Sequence, residues 1–400
     1  MGLYLHVPFC ASKCNYCDFN TYAGIEGLMP AYVGALVEEI RMWGQVAGPR
    51  CTVETIFFGG GTPSLLPVED IGRVLRTCRE TFGVAAEAEV TLESNPDDLT
   101  PELLRGLLSV GVNRLSVGVQ SFHNRHLSTL TRRHSAEEAV EAYQRAAEVG
   151  FGNVNIDLMY GIPRQSMEEW RETLDRAMEL TPAHLSLYAL TLEEGTPLWR
   201  DVARGAVPKP DTDLAADMYL HAEEALEVAG YRHYEISNWA LSGHECRHNL
   251  IYWRNQPYLG LGAGAHSSYG GYRFSDERSP RRYVERVSRL VSEEGDELRG
   301  FGEFSEELIR RVSPIDHVEA IDEALEMSET MMLGLGLEEG VRYDDFHRRF
   351  GSRLESVYGT EIEELVGLGL VIRDKDVVRL TQRGRLLGNE VFSRFLLVRT

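Results

Sequence analysis

Cys10, Cys14 and Cys17 form a Cys-x3-Cys-x2-Cys loop directly after a short apolar run at residues 3–7. Three thiolates so close together can hold one metal centre, yet they leave a tetrahedral ion or a four-iron cluster one donor short. Either a distant protein group completes the set, or one metal position stays open for a small molecule. Soft thiolates suit Zn²⁺ as well as iron–sulfur clusters. Structural zinc usually joins one Cys-x-x-Cys hook to a second hook or to paired histidines. Here the remaining cysteines, Cys51, Cys78 and Cys246, stand alone. The spacing favours an iron–sulfur cluster held by three cysteines.

The elements that position this loop alternate regularly. Strand-like runs at 3–7, 53–58, 89–93, 114–119, 154–158 and 184–190 are separated by helical patterns at 31–42, 68–82, 101–110, 136–149 and 167–180. Thr100-Pro101-Glu102 is a helix start, and Gly150 a helix stop. A βαβα alternation implies parallel strands with right-handed crossovers, and six units predict an α/β fold of the open (β/α)6 partial-barrel type. Polar or glycine punctuation follows each strand: the cysteine loop, Gly59-Gly60-Gly61-Thr62-Pro63, Glu93, Gln120, Asp157 and Tyr188-Ala189. All lie at C-terminal strand ends, the edge where barrel proteins build sites. The glycine turn lets backbone N–H groups approach a ligand, although it is neither a dinucleotide fingerprint nor a Walker loop. A carboxylate at the position of Glu93 could accept ribose hydroxyls or simply cap a helix.

The string Tyr4-x-His6-x-Pro8-Phe9-Cys10-x3-Cys14-x-Tyr16-Cys17 resembles the signature of radical S-adenosylmethionine proteins, in particular the oxygen-independent coproporphyrinogen III oxidase family. The resemblance implies a [4Fe-4S] cluster on Cys10, Cys14 and Cys17 whose fourth iron takes the amino and carboxylate groups of S-adenosylmethionine. It implies that Gly60, Gly61 and Thr62 hold the methionyl amino group. It also implies that Glu93, Gln120, Arg132, Asp157 and Ala189 contribute to the cosubstrate site, with Tyr4 and Tyr16 as aromatic contacts near the cluster and adenine. The family usually has glycine before the arginine, where this chain has Thr131.

His248-Asn249-x-x-Tyr252-Trp253 resembles the HNxxYW motif of the HemW-type heme chaperones in that family. Read alone, such a histidine is an ordinary core residue; the resemblance implies heme binding, with His248 or neighbouring Cys246 as axial ligand and Arg247 and Arg254 beside the propionates. The oxidases continue the motif to a fourth cysteine two residues after Cys17, where this chain has Phe19. The resemblance thus implies a heme carrier for acceptor hemoproteins of the respiratory chain. The alternative is radical oxidative decarboxylation of coproporphyrinogen III to protoporphyrinogen IX.

The sequence divides into a barrel at 1–210, a segment with the HNxxYW motif at 211–277, and a mostly helical, winged-helix-like domain at 278–400. In the last, a wing is read at 370–372 and 377–380 and a flanking helical stretch at 382–397. A formal charge of −21 repels phosphate backbones, which excludes a general nucleic-acid binder. No apolar run spans a bilayer, so membrane association would be transient. With no secretion signal read and metal-ready thiols, the expected compartment is the cytoplasm. A monomer and a homodimer are equally compatible with the sequence.

Overall fold

The β-branched and aliphatic runs of the first half form parallel strands in a computed structural model, which describes residues 1–47, 51–294 and 304–396. In chain order come β1 (Gly2–Val7), a short pair β2 (Phe9–Cys10) and β3 (Tyr22–Ala23), α1 (Met29–Val46), β4 (Thr52–Gly60), α2 (Val68–Thr81), β5 (Gly83–Ser94) and α3 (Pro101–Val110). Then follow β6 (Arg114–Gln120), α4 (Asn124–Thr129), α5 (Ala136–Val149), β7 (Val154–Tyr160), α6 (Met167–Glu179) and β8 (His184–Ala189). Strands β1, β4, β5, β6, β7 and β8 pair in parallel in that spatial order.

Local chemistry fixes the crossover helices. Thr100 accepts a hydrogen bond from the Leu103 amide ahead of Pro101. Ser135 and Ser166 form reciprocal capping boxes with Glu138 and Glu169; losing such a cap costs about 1 kcal/mol. Helices α3 and α5 stop where Gly111 and Gly150 turn left-handed, a conformation that glycine adopts without a Cβ clash.

The sheet is wider than six strands. After α7 (Pro197–Ala203) and α8 (Thr212–Val228), β9 (Arg232–Glu235) and β10 (Asn238–Ala240) add antiparallel strands beside β8. After α9 (Arg247–Trp253), β11 (Tyr258–Leu261) joins the free edge of β1 in parallel. Strands β12 (His266–Tyr269) and β13 (Tyr272–Asp276) extend that edge antiparallel, and past α10 (Pro280–Glu294) and α11 (Glu306–Val312) so does β14 (Ile315–Ala320). The twelve strands run β14-β13-β12-β11-β1-β4-β5-β6-β7-β8-β10-β9, with open ends.

The division read at 277/278 does not coincide with the packing. Tyr283, Val287, Leu308, Ile309 and Ile315 belong to the barrel core, and a separate core begins at Met327. That second body contains α12 (Glu323–Gly334), β15 (Val341–Arg342), α13 (Tyr343–Phe350), α14 (Leu354–Gly367), β16 (Val371–Asp374), β17 (Val377–Leu380), α15 (Gln382–Leu386) and α16 (Gly388–Phe392). Its small antiparallel sheet β15-β17-β16 forms the wing; residue 397 of the flanking stretch lies outside the described residues.

Candidate functional site

The cysteine loop is tied down at both ends. The parallel β2–β3 contact closes its base. Asn15 donates its backbone amide to Thr131 Oγ1 at 2.9 Å and its side-chain amide to the Thr129 carbonyl. Asn20 Nδ2 donates to the carbonyls of Ala263 and Arg278. Thr131, where the family usually has glycine, has φ 53°. The left-handed turn therefore persists with a β-branched residue, at about 1–2 kcal/mol of strain, and the threonine hydroxyl becomes an anchor for the loop.

Cys10, Cys14 and Cys17 line a cavity of about 410 Å³ together with Tyr16, Gly60, Gly61, Thr62, Glu93, Gln120, Arg132, Asp157 and Ala189. Twelve of the fourteen residues singled out in the sequence thus face one space. Tyr4 and His248 do not. Sequence reasoning passed over Asn95, which bridges the site: its Oδ1 accepts from Arg132 and its Nδ2 donates to Thr62 Oγ1 at 3.1 Å. An Asx residue between a strand end and Pro96 was the available signal. Arg132 also donates to the Gly118 carbonyl at 2.6 Å and approaches Cys14 Sγ at 3.5 Å, while Thr62 Oγ1 lies 3.6 Å from Cys10 Sγ.

The glycine turn is sterically obligatory. Gly60 has φ 109°, and a Cβ there would stand 2.4 Å from the His6 ring; at Gly61 it would stand 2.5 Å from the Phe9 carbonyl oxygen. The turn runs on beside the cysteine strand, with Gly61 and Thr62 amides donating to the carbonyls of Val7 and Phe9. Glu93 Oε2 accepts from the Gly60 amide at 3.0 Å. Burial first, and then Asp157, push the Glu93 carboxyl up to about 8, against the opposing pull of Gly60 and Arg114. Asp157 is also raised by burial, although Asn155 and Ser116 hydrogen-bond to it.

These residues fit a cluster with one open iron. Cys10 and Cys17 are raised by burial, so they surrender protons when they ligate metal. Among the described residues no three His, Cys, Asp or Glu side chains close on a single-ion site. Cys78 and Cys246 are buried elsewhere, and Cys51 contacts the Tyr269 hydroxyl. The donor set is therefore three soft thiols beside a backbone-lined cradle, with a guanidinium and acids at its rim.

Two of the residues singled out in the sequence lie outside the cysteine cavity. Tyr4 opens onto a neighbouring space of about 920 Å³ instead of the cysteine cavity, and Phe19, Gly60 and Glu93 line both, so the two adjoin. His248 is 1% exposed. Its Nδ1 meets Thr55 Oγ1 at 2.7 Å, its Nε2 meets the Tyr252 hydroxyl at 2.8 Å, and Phe57 stacks on the ring. Burial, then Arg114, lower its pKa to about 3. With both nitrogens engaged, the imidazole faces Thr55 and Tyr252 in this conformation. Cys246 is buried against Glu89. Arg247 reaches the Glu87 carbonyl and Arg254 pairs with Glu339; neither lines the large space. The motif residue that does is Tyr252, held by His248.

Comparison with known proteins gives a consistent picture. Residues 4–177 match the radical SAM superfamily, and residues 321–387 match the HemN C-terminal domain. The heme chaperone HemW of Bacillus subtilis (strain 168) is 35% identical over 395 residues, covering 98% of both chains. That of Escherichia coli (strain K12) is 36% identical over 400 residues, covering 99% of this chain and 98% of the other. In fold, the chain is similar to coproporphyrinogen III oxidase (HemN) from Escherichia coli, a radical SAM enzyme. The TM-score is 0.81 at 24% identity, over 98% of this chain and 89% of that one.

Proposed function

The chain belongs to the HemW family of heme chaperones within the radical S-adenosylmethionine superfamily, and from that premise we propose that it binds heme and delivers it to acceptor hemoproteins of the respiratory chain. The observation that carries this reading is a three-thiol cavity with a glycine-lined cradle that adjoins a second space large enough for a tetrapyrrole.

In this reading Cys10, Cys14 and Cys17 hold a [4Fe-4S] cluster. The backbone at Gly60, Gly61 and Thr62, with Glu93, Gln120, Asp157 and Ala189, receives S-adenosylmethionine at the open iron. Such a cluster supplies one-electron chemistry when bound. Arg132 keeps positive charge beside the thiolates and braces Asn95 against the Thr62 turn. Tyr16 walls the cavity and excludes water. Phe19 replaces the extra cysteine of the oxidases and is 66% exposed at the junction of the two spaces, which favours carriage of a porphyrin over its oxidation.

No helix among the described residues is long and apolar enough to cross a membrane. Free thiols at all six cysteines support a reducing, cytoplasmic setting. The test is transfer: heme-loaded protein mixed with an apo-form b-type cytochrome should lose its Soret band as the acceptor gains one. An acceptor that stays apo contradicts the carrier role. Protoporphyrinogen IX formed from coproporphyrinogen III under anoxic, reducing conditions would support the oxidase instead.

A further inference from the structure

Beneath the cysteine cavity lies a layer of buried polar side chains. The parallel register sets Ser116 of β6 beside Asn155 of β7, and Asn155 beside His184 of β8; two residues further along, Asp157 stands beside Ser186. Residues two apart on a strand share a face, so these side chains stand on the face that carries Asp157 into the cavity. Ser116 and Asp157 line that cavity, whereas Asn155 and His184 are buried below it, at 1% and 0% exposure. Barrel interiors usually fill such positions with branched aliphatic side chains. A polar layer in their place is stable only with its donors and acceptors matched.

With Asp157 as acceptor, they match in one way. The carboxylate takes hydrogen bonds at both oxygens, from Ser116 Oγ at 3.0 Å and from Asn155 Nδ2 at 2.8 Å. Asn155 Nδ2 also donates to Ser116 Oγ at 2.8 Å. Its carbonyl oxygen therefore accepts, from Ser186 Oγ at 3.1 Å and from His184 Nδ1 at 2.7 Å. His184 thus carries its hydrogen on Nδ1, which leaves Nε2 to accept from the Tyr234 hydroxyl at 2.8 Å. Burial, and then Arg114, hold His184 well below its ordinary pKa, so the ring is neutral with a single N–H. Tyr234 in turn accepts from the Cys246 backbone amide at 3.3 Å. Every bond from Cys246 to Asp157 points its hydrogen toward the carboxylate, and bonds aligned in series polarise one another.

We infer that Asn155 and His184 are positioning residues of the cosubstrate site: His184 fixes which way the Asn155 amide faces, and that amide, with Ser116, aims the Asp157 carboxylate into the cavity. This rests on the reading of Asp157 as a cosubstrate contact. Without the His184 N–H, the Asn155 amide can turn over and set its carbonyl oxygen against Asp157, where two acceptors repel. The chain starts at Cys246, which directly precedes α9 and its HNxxYW motif. Four hydrogen bonds therefore join the motif segment to the cosubstrate carboxylate.

Removing any member leaves a buried polar group unpaired and lowers stability whatever its role, so the decisive readout is rescue. Anoxic calorimetry of S-adenosylmethionine binding to the full, cluster-reconstituted chain compares wild type, His184→Leu and His184→Asn at equal iron and sulfide content. Asparagine puts an N–H where Nδ1 stands but does not reach Tyr234. His184→Leu should bind about five- to tenfold more weakly, and His184→Asn within about twofold of wild type, although both unfold at lower urea. The nearly isosteric Asn155→Asp sets a second carboxyl against Asp157 and should also bind at least about fivefold more weakly; it carries the test if His184→Leu does not fold. Wild-type affinity in His184→Leu or Asn155→Asp, or His184→Asn as weak as His184→Leu, overturns the positioning role and leaves the cosubstrate reading intact. A wild type that binds no S-adenosylmethionine, or an Asp157→Asn variant that binds it as wild type does, overturns the reading of Asp157 and the positioning role together.

Discussion

Replacing Glu93 by glutamine changes the one acid that borders both cavities and whose pKa is displaced to about 8 from an ordinary 4.5. The buried carboxyl therefore holds a proton at neutral pH, which hydrogen-bond donors of an incoming cosubstrate must displace if they prefer the carboxylate. With a pKa of 8, about 1% of the protein is ionised at pH 6 and about half at pH 8. If only that form binds tightly, affinity should rise about 50-fold over this interval, roughly 2.3 kcal/mol. Glutamine cannot titrate, and the ratio of wild-type to variant affinities cancels any titration of the ligand itself. Anoxic calorimetry of S-adenosylmethionine binding to reconstituted protein at pH 6, 7 and 8 measures that ratio. A ratio that changes by less than about threefold refutes the assignment. The same displacement has a stability consequence: Glu93 costs nothing below about pH 4.5, where it is protonated folded and unfolded, and its penalty grows as pH rises from there and is complete above 8. Wild type should fall behind Glu93→Gln by up to about 5 kcal/mol at alkaline pH.

Gly60→Ala forces a Cβ onto the fixed His6 ring at a positive φ, and should lower unfolding free energy in urea by about 2–4 kcal/mol with loss of bound iron; unchanged stability argues against the cradle geometry. Thr131→Gly exchanges about 1–2 kcal/mol of backbone strain for the loss of one loop anchor of about 1 kcal/mol. Its melting point should barely move, while a chelator should strip iron several-fold faster than from wild type; equal stripping rates would show that the Asn15 contact does not hold the loop. His248→Phe leaves Thr55 and Tyr252 without their imidazole partner, and should cost about 2–3 kcal/mol in urea unfolding; a variant as stable as wild type would show that these two contacts do not hold the segment.

The parallel half of the molecule was legible because its strands are buried on both faces and read as continuous apolar runs, and because Thr100 and Gly150 mark helix ends by local chemistry. The cosubstrate cavity was legible because strand-end residues converge whatever the details of the helices. Strands β11 to β14 were harder to find. Gly260, Gly262 and Gly264 disguise the start of this sheet as a loop, and the polar alternation of His266-Ser267-Ser268-Tyr269 reflects a face turned to a cavity. The contribution of β14 depends on pairing across about 40 residues from β13, which no local pattern encodes, although Ile315-Asp316-His317-Val318 does alternate. The orientation of His248 was illegible for a related reason: the motif identifies the segment, but Thr55 and Tyr252 decide where the ring points.

The account depends most on an iron site that the protein leaves unfilled. Electron paramagnetic resonance of the reduced, reconstituted chain, recorded before and after addition of S-adenosylmethionine, reads that site directly. The account predicts a four-iron signal whose g values move on addition, and that is lost in Cys10→Ala, Cys14→Ala or Cys17→Ala. Spectra that coincide with and without the added molecule, or protein that retains no acid-labile sulfide, would contradict it.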